Sequence, residues 1–316
     1  MVAEVLRSGA YSDEVVANLV QRRFVATMYD VAPPAKNYGD GSAYDPDAIA
    51  AVGPMDELRR GRRGGGSEDR NGRVSADGYP TALFLAPDGE RLGDGLWGIM
   101  PPERLLRGLR DVIAKWPKSF EPTTEERAVV ARADAQPDDA DAQLDAARLS
   151  WELAEFEAVV SRADRGLGKA APPIRAELQY LNARALTCLG RDDEARTSLL
   201  AIGETTIGEA GAALTLAVQV ALARLELRAG KPEAAVARLR PFCTFTAPMR
   251  HSGAVLYTTG LALWRQGAHD EAKVLWRQHR RELPFDRLAR RSAASLGLDE
   301  AEAFRNQELF ETKGWW

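Results

Sequence analysis

The chain has 316 residues, 45% of them hydrophobic and 28% charged, with a net charge of −4. That length suggests about two domains with ample core, and the mild acidity excludes a global electrostatic pull toward nucleic acid or anionic membrane. No apolar run approaches the roughly 20 residues of a membrane span, and "MVAEVLRSGAYSDEVV" has none of the regions of a signal peptide. The two cysteines, Cys188 and Cys243, lie far apart in apolar helical sequence and are expected to be buried, reduced thiols.

Residues 4–23 predict a helix in two pieces. Ser12 and Asp13 can cap the second, whose Val15, Val16, Leu19 and Val20 form one apolar stripe. "FVATMYDV", Phe24 to Val31, predicts a strand. A polar, Gly-rich connection follows to Gly78. "TALFLA", Thr81 to Ala86, predicts a buried strand, Pro87-Asp88-Gly89 a hairpin turn, and Glu90 to Leu96 the return strand. Pro101-Pro102 opens a helix with Leu105, Leu106, Leu109, Val112 and Ile113 on one side, closing at Trp116-Pro117. Past "KSFEPTTEE" the composition turns to alanine, leucine and arginine, strand signals stop, and a domain boundary is expected between residues 117 and 118.

The second half repeats. "ARALTCLGRDDEA" (183–195), "ARLELRAGKPEAA" (223–235) and "GLALWRQGAHDEA" (260–272) share a small residue, a glycine and a closing alanine at fixed offsets. A looser copy, "AARLSWELAEFEA" (146–158), sets Leu153 at the glycine position. The closing alanines Ala158, Ala195, Ala235 and Ala272 recur every 37 to 40 residues. Gly190, Gly230 and Gly267 are the expected helix ends, where a left-handed backbone costs glycine little. The pattern resembles tetratricopeptide repeats, and the resemblance implies an all-α solenoid over residues 118–316 with a C-terminal capping helix.

Tyr79-Pro80-Thr81, strand, turn, strand, Trp97-Gly98 and a closing amphipathic helix resemble the last unit of the thioredoxin family. That resemblance implies an incomplete α/β thioredoxin-like domain over residues 1–117, with Tyr79, Pro80 and Thr81 as a peptide-holding site. No Cys-x-x-Cys occurs. Either the strand and redox motif lie upstream of Met1, the preferred reading, or the domain is degenerate. As given, the chain cannot exchange dithiols and disulfides.

Other constellations are weaker. "LRRGRRGGG" (58–66) lacks interleaved aromatics and is flanked by acids, so a solvated loop is expected rather than a nucleic-acid site. Asp40, Ser42, Asp45 and Asp47 lack the spacing of a calcium loop. His251, His269 and His279 show no ligand spacing. No cofactor or metal site is expected.

The repeat resemblance places the groove-facing positions at Gln143 and Ala147, Tyr180 and Arg184, Val220 and Arg224, Tyr257 and Leu261. The family's carboxylate clamp is missing, but Arg184 and Arg224, one repeat apart, are placed to grip an acidic side chain, with Tyr180 and Tyr257 as stacking walls. The joint architecture is similar to bacterial thioredoxin–repeat proteins. It implies a non-enzymatic, chaperone-like adaptor with a protein or peptide client, no nucleic acid and no membrane, cytoplasmic as given and periplasmic if an upstream start carries an export signal. The alternative is a thiol-disulfide oxidoreductase whose redox motif lies upstream.

Overall fold

In the computed structural model, the described residues are 13–24, 81–82, 84, 92, 96–97, 102–202, 211–245, 251–286, 288–289, 292 and 295–296. Helix α1 spans Glu14–Arg23, and Asp13 caps it by accepting from the Val15 and Val16 amides at 2.9 and 3.2 Å. Such a cap satisfies amide donors that the first turn leaves open. Thr81–Ala82 (β1) pairs antiparallel with Leu96–Trp97 (β2). Helix α2 is Pro102–Lys115, followed by a 3₁₀ turn, Pro117–Phe120.

From there the chain is helical: α3 Thr124–Ala135, α4 Ala140–Glu152, α5 Phe156–Leu167, α6 Pro172–Cys188, α7 Asp192–Leu200, α8 Ala212–Arg228, α9 Pro232–Leu239, α10 Ser252–Arg265 and α11 His269–Glu282. The pairs α4/α5, α6/α7, α8/α9 and α10/α11 are antiparallel hairpins. Their first helices, α4, α6, α8 and α10, also pack on one another in order and form one continuous layer. The second helices form the outer layer, and α5, α7 and α9 each touch the next hairpin's first helix.

The α/β domain expected over residues 1–117 is overturned. Among the described residues the extended structure is one antiparallel pair, two residues on each side. A lone pair of short strands cannot form the layered sheet that such a fold requires. Thr81 lies in this pair; Tyr79 and Pro80 lie outside the described residues, as do 25–31 of the expected strand after α1. Phe84 and Leu92, joined by a 2.7 Å bond from the Leu92 amide to the Phe84 carbonyl, turn into a helical core. That core runs through residue 118. Val15, Val16 and Leu19 of α1, with Leu105, Leu106, Leu109 and Val112 of α2, join Leu144, Ala147 and Trp151 of α4 and Leu178 of α6. Among the described residues, the apolar stripe of α1 thus packs against α2 and the first hairpin.

The hairpin turns share one geometry. Gly190, Gly230 and Gly267 have φ of 76°, 70° and 84°. In each, the amide of the next residue returns to a carbonyl in the preceding helix: Arg191 to Leu186, Lys231 to Glu226, Ala268 to Leu263, at 2.8 to 2.9 Å. This is the Schellman closure that a left-handed residue permits. The first hairpin has it too, from Glu155 to the Ser150 carbonyl at 2.8 Å, with Ala154 at φ 58° in the glycine role. The sequence alignment of the first copy is therefore one residue out of register. Ala147, not Ala146, matches Ala183, and Val159, not Ala158, matches Ala195. Burial agrees, since Val159 is fully buried and Ala158 is not.

Each first helix brings a small residue against its hairpin partner. At Gly260 a Cβ would sit 2.4 Å from the Trp276 indole nitrogen, so α11 lies as close to α10 as this backbone allows. Trp276 is fully buried there and donates to the Tyr257 carbonyl at 3.3 Å.

Candidate functional site

The first helices present a cleft of about 40 Å³ whose lining includes Tyr180, Arg184 and Thr187 of α6, Val220 and Arg224 of α8, Ala254 of α10, and Glu14 of α1. The sequence-predicted pair Arg184 and Arg224 does meet here, one repeat apart, with Tyr180 beside them. Val220 contributes apolar floor. Tyr257 does not form a wall: it is 3% exposed, with Leu261 wholly buried, and both belong to the core between α8 and α11. Gln143 is also buried. Its amide donates to the Ala133 carbonyl at 2.6 Å, and it stands beside Gly166, where α4 and α5 cross closely. With the corrected register, the first hairpin's groove positions become Leu144 and Arg148, and Arg148 pairs with Glu177.

Arg184 has the most elaborate setting. Its guanidinium lies over the Trp151 ring at 4.0 Å and near Tyr180 at 5.6 Å, and it grips both oxygens of Glu14 at 2.9 and 3.3 Å. A planar fork facing a carboxylate, stacked on aromatics, is the arrangement that favours arginine over lysine. Burial works against the Arg184 charge, but Glu14 and Tyr180 together outweigh it and keep the group cationic. The acidic partner expected for this arginine is thus present in the same chain, 170 residues away.

Helix α1 is fastened at its other end too. Arg23 pairs with Glu126 of α3 at 2.8 Å, both nearly buried, and Arg22 reaches Glu152 of α4 through its Nε at 2.7 Å. Burial raises the Glu126 carboxyl, yet the Thr123 amide and the Arg23 guanidinium together overcome it and hold the carboxyl below its ordinary value. Sequence reasoning missed α1 as a participant. Its amphipathic stripe was visible, but nothing local marks Glu14 or Arg23 as partners of residues so distant.

Two constellations have a chemical look. His279 is fully buried, with Nε2 3.0 Å from Asp286 Oδ1 and Nδ1 2.9 Å from Ser292 Oγ. This is a serine–histidine–carboxylate set, but Ser292 is itself fully buried, so no substrate reaches its hydroxyl. The network ties Asp286 and Ser292 to α11. The two thiols are both free. Burial pushes Cys188 up against the pull of Arg184, and it pushes Cys243 up against the Thr259 hydroxyl and Arg240. A thiol held protonated is a poor nucleophile. Among the described residues no group of three or more His, Cys, Asp or Glu side chains could hold a metal ion, and no helix is long and apolar enough to cross a membrane.

No family model, curated protein or solved structure matches the chain, so the site is read from its own geometry.

Proposed function

We propose that the chain is a protein-interaction scaffold, an adaptor of the tetratricopeptide type that holds a client segment along the layer of first helices. The observation that carries this reading is the cleft across α6, α8 and α10, where Arg184 and Arg224 stand one repeat apart over an apolar floor. Such a surface suits a segment with an acidic residue beside small or apolar ones. Charge gives register and encounter rate, and apolar contact gives affinity. The grip of Arg184 on Glu14 supports the reading directly, because it shows this cleft holding a carboxylate.

Panning a displayed peptide library on the full chain and on Arg224→Glu tests it. The wild-type chain is expected to enrich peptides that carry an acidic residue flanked by apolar ones, and the variant, with its melting temperature preserved, to lose them. Enrichment that ignores residue 224, or none, overturns the proposal. The described thiols give the oxidoreductase alternative no support, since burial disfavours the thiolate at both.

A further inference from the structure

Helix α1 relates to the array as a bound peptide relates to a receptor. It has 10 residues, too few to hold a helix alone in water, so its conformation depends on what it packs against. Its apolar side, Val15, Val16 and Leu19, is 1% exposed. Its polar ends are matched by complementary charges on three helices, two of them in the array: Glu14 by Arg184 on α6, Arg22 by Glu152 on α4, Arg23 by Glu126 on α3. Those pairs span 103 to 170 residues of sequence, so they arise from docking and not from chain neighbourhood. The acid also suits the start of the helix and the arginines its end, in keeping with the backbone dipole. The sequence of α1 and the charges of its seat therefore form one matched set.

Resting on the scaffold reading above, we propose that α1 is an exchangeable internal ligand. It covers the α4/α6 end of the client-binding layer, and a client helix displaces it by supplying the same order of groups as residues 14–23. That order is an acid in the first turn, apolar residues in the middle and paired cations in the last turn. Arg184 is the grip that passes from Glu14 to the client's carboxylate. While α1 is seated, the effective concentration of an attached competitor lowers the apparent affinity for any such client. The device sets a threshold: weak acidic segments are refused and a matched helix is admitted.

The test uses a fluorescein-labelled synthetic peptide of residues 12–24 and the full chain. In the unmodified protein, amide hydrogen exchange across residues 18–23 should run at least ten-fold faster than in α4 and α6, through local opening of α1. Equal protection overturns the proposal. In full-length Glu14→Arg, where like charge at Arg184 weakens the resident helix, the peptide should bind at least ten-fold tighter than to wild type. Adding Arg184→Ala should abolish that gain. A variant that binds no better than wild type, or a gain that survives Arg184→Ala, also overturns it. Because the probe is the chain's own segment, such a failure removes only the exchange of α1. The scaffold reading is judged separately, by its dependence on residue 224.

Discussion

Arg184 Nη2 and Glu14 Oε2 are 2.9 Å apart, and the same guanidinium lies over the Trp151 ring at 4.0 Å. One side chain thus joins α1, α4 and α6. Removing it takes the ion pair from part-buried Glu14 and uncovers one face of the indole. Arg184→Ala should lower unfolding stability by roughly 2–3 kcal/mol, as for the loss of other part-buried charged hydrogen bonds. Glu14→Gln keeps the shape and should cost less. A double-mutant cycle in urea should return a coupling of about 1–3 kcal/mol. A coupling near zero would show that the stack on Trp151, not the ion pair, carries the effect.

The four hairpin turns predict a graded alanine series. Gly190, Gly230 and Gly267 have left-handed backbones, and a Cβ at each would meet nothing within 4 Å. Substitution by alanine therefore introduces backbone strain without a clash, and each change should cost about 1 kcal/mol. Ala154 already bears that strain, at φ 58° and with its methyl fully buried. Ala154→Gly should be close to neutral, since relief of about 1 kcal/mol is offset by the lost methyl at ~0.8 kcal/mol. Chemical unfolding of the four single variants checks the contrast.

Those turns also show how much was legible beforehand. Hairpin glycines and small residues act locally, so their spacing predicted Gly190, Gly230 and Gly267 as helix ends from sequence. The first copy was misaligned because Ala154 does a glycine's work and local chemistry gave no sign of it. The arginine pair of the cleft was legible as a one-repeat spacing. Tyr257 was not, because its burial depends on the packing of α11 and the Leu288 segment around α10. The N-terminal part misled for a different reason. "TALFLA" does begin as a strand, Thr81–Ala82 pairing with Leu96–Trp97, but nothing local shows that Phe84, two residues on, packs into the core of α1, α2 and α4.

Gly260 and Trp276 give a sharper steric prediction. A Cβ at residue 260 would lie 2.4 Å from Nε1, 2.8 Å from Cδ1 and 2.9 Å from Cε2 of an indole that is wholly buried. The ring cannot swing into solvent, so α10 and α11 must separate or the ring must leave its rotamer. Gly260→Ala should cost roughly 1–3 kcal/mol as overpacking does, more than any of the turn glycines. Trp276→Phe in the same background should recover part of the loss by making room. Thermal melts of the single and double variants read both effects. A Gly260→Ala protein as stable as wild type would show that the crossing is looser than its geometry implies.

The buried pair Arg23–Glu126 predicts a defined acid sensitivity. Glu126 closes a capping box with Thr123, taking the Thr123 amide at 2.8 Å while its own amide donates to the Thr123 hydroxyl at 3.1 Å, and it also accepts from Arg23 at 2.8 Å. Its carboxyl is held below the ordinary value near 4.5, because these donors outweigh the opposing effect of burial. A depressed folded value means the unfolded chain binds the proton more readily. The stabilisation is therefore complete above the ordinary value and disappears as pH falls through the lower folded one. Urea midpoints measured from pH 7 down to about pH 3 should drop steeply for wild type over this acid limb. Glu126→Gln should start lower at pH 7, by about 1–2 kcal/mol for a lost charged hydrogen bond, and decline less steeply, so that the two curves converge in acid. Because Arg23 belongs to α1, the same titration should loosen that helix first, and exchange protection of residues 18–23 should fall at a higher pH than protection in α6. Parallel acid limbs for the two proteins would remove Glu126 as the titrating group.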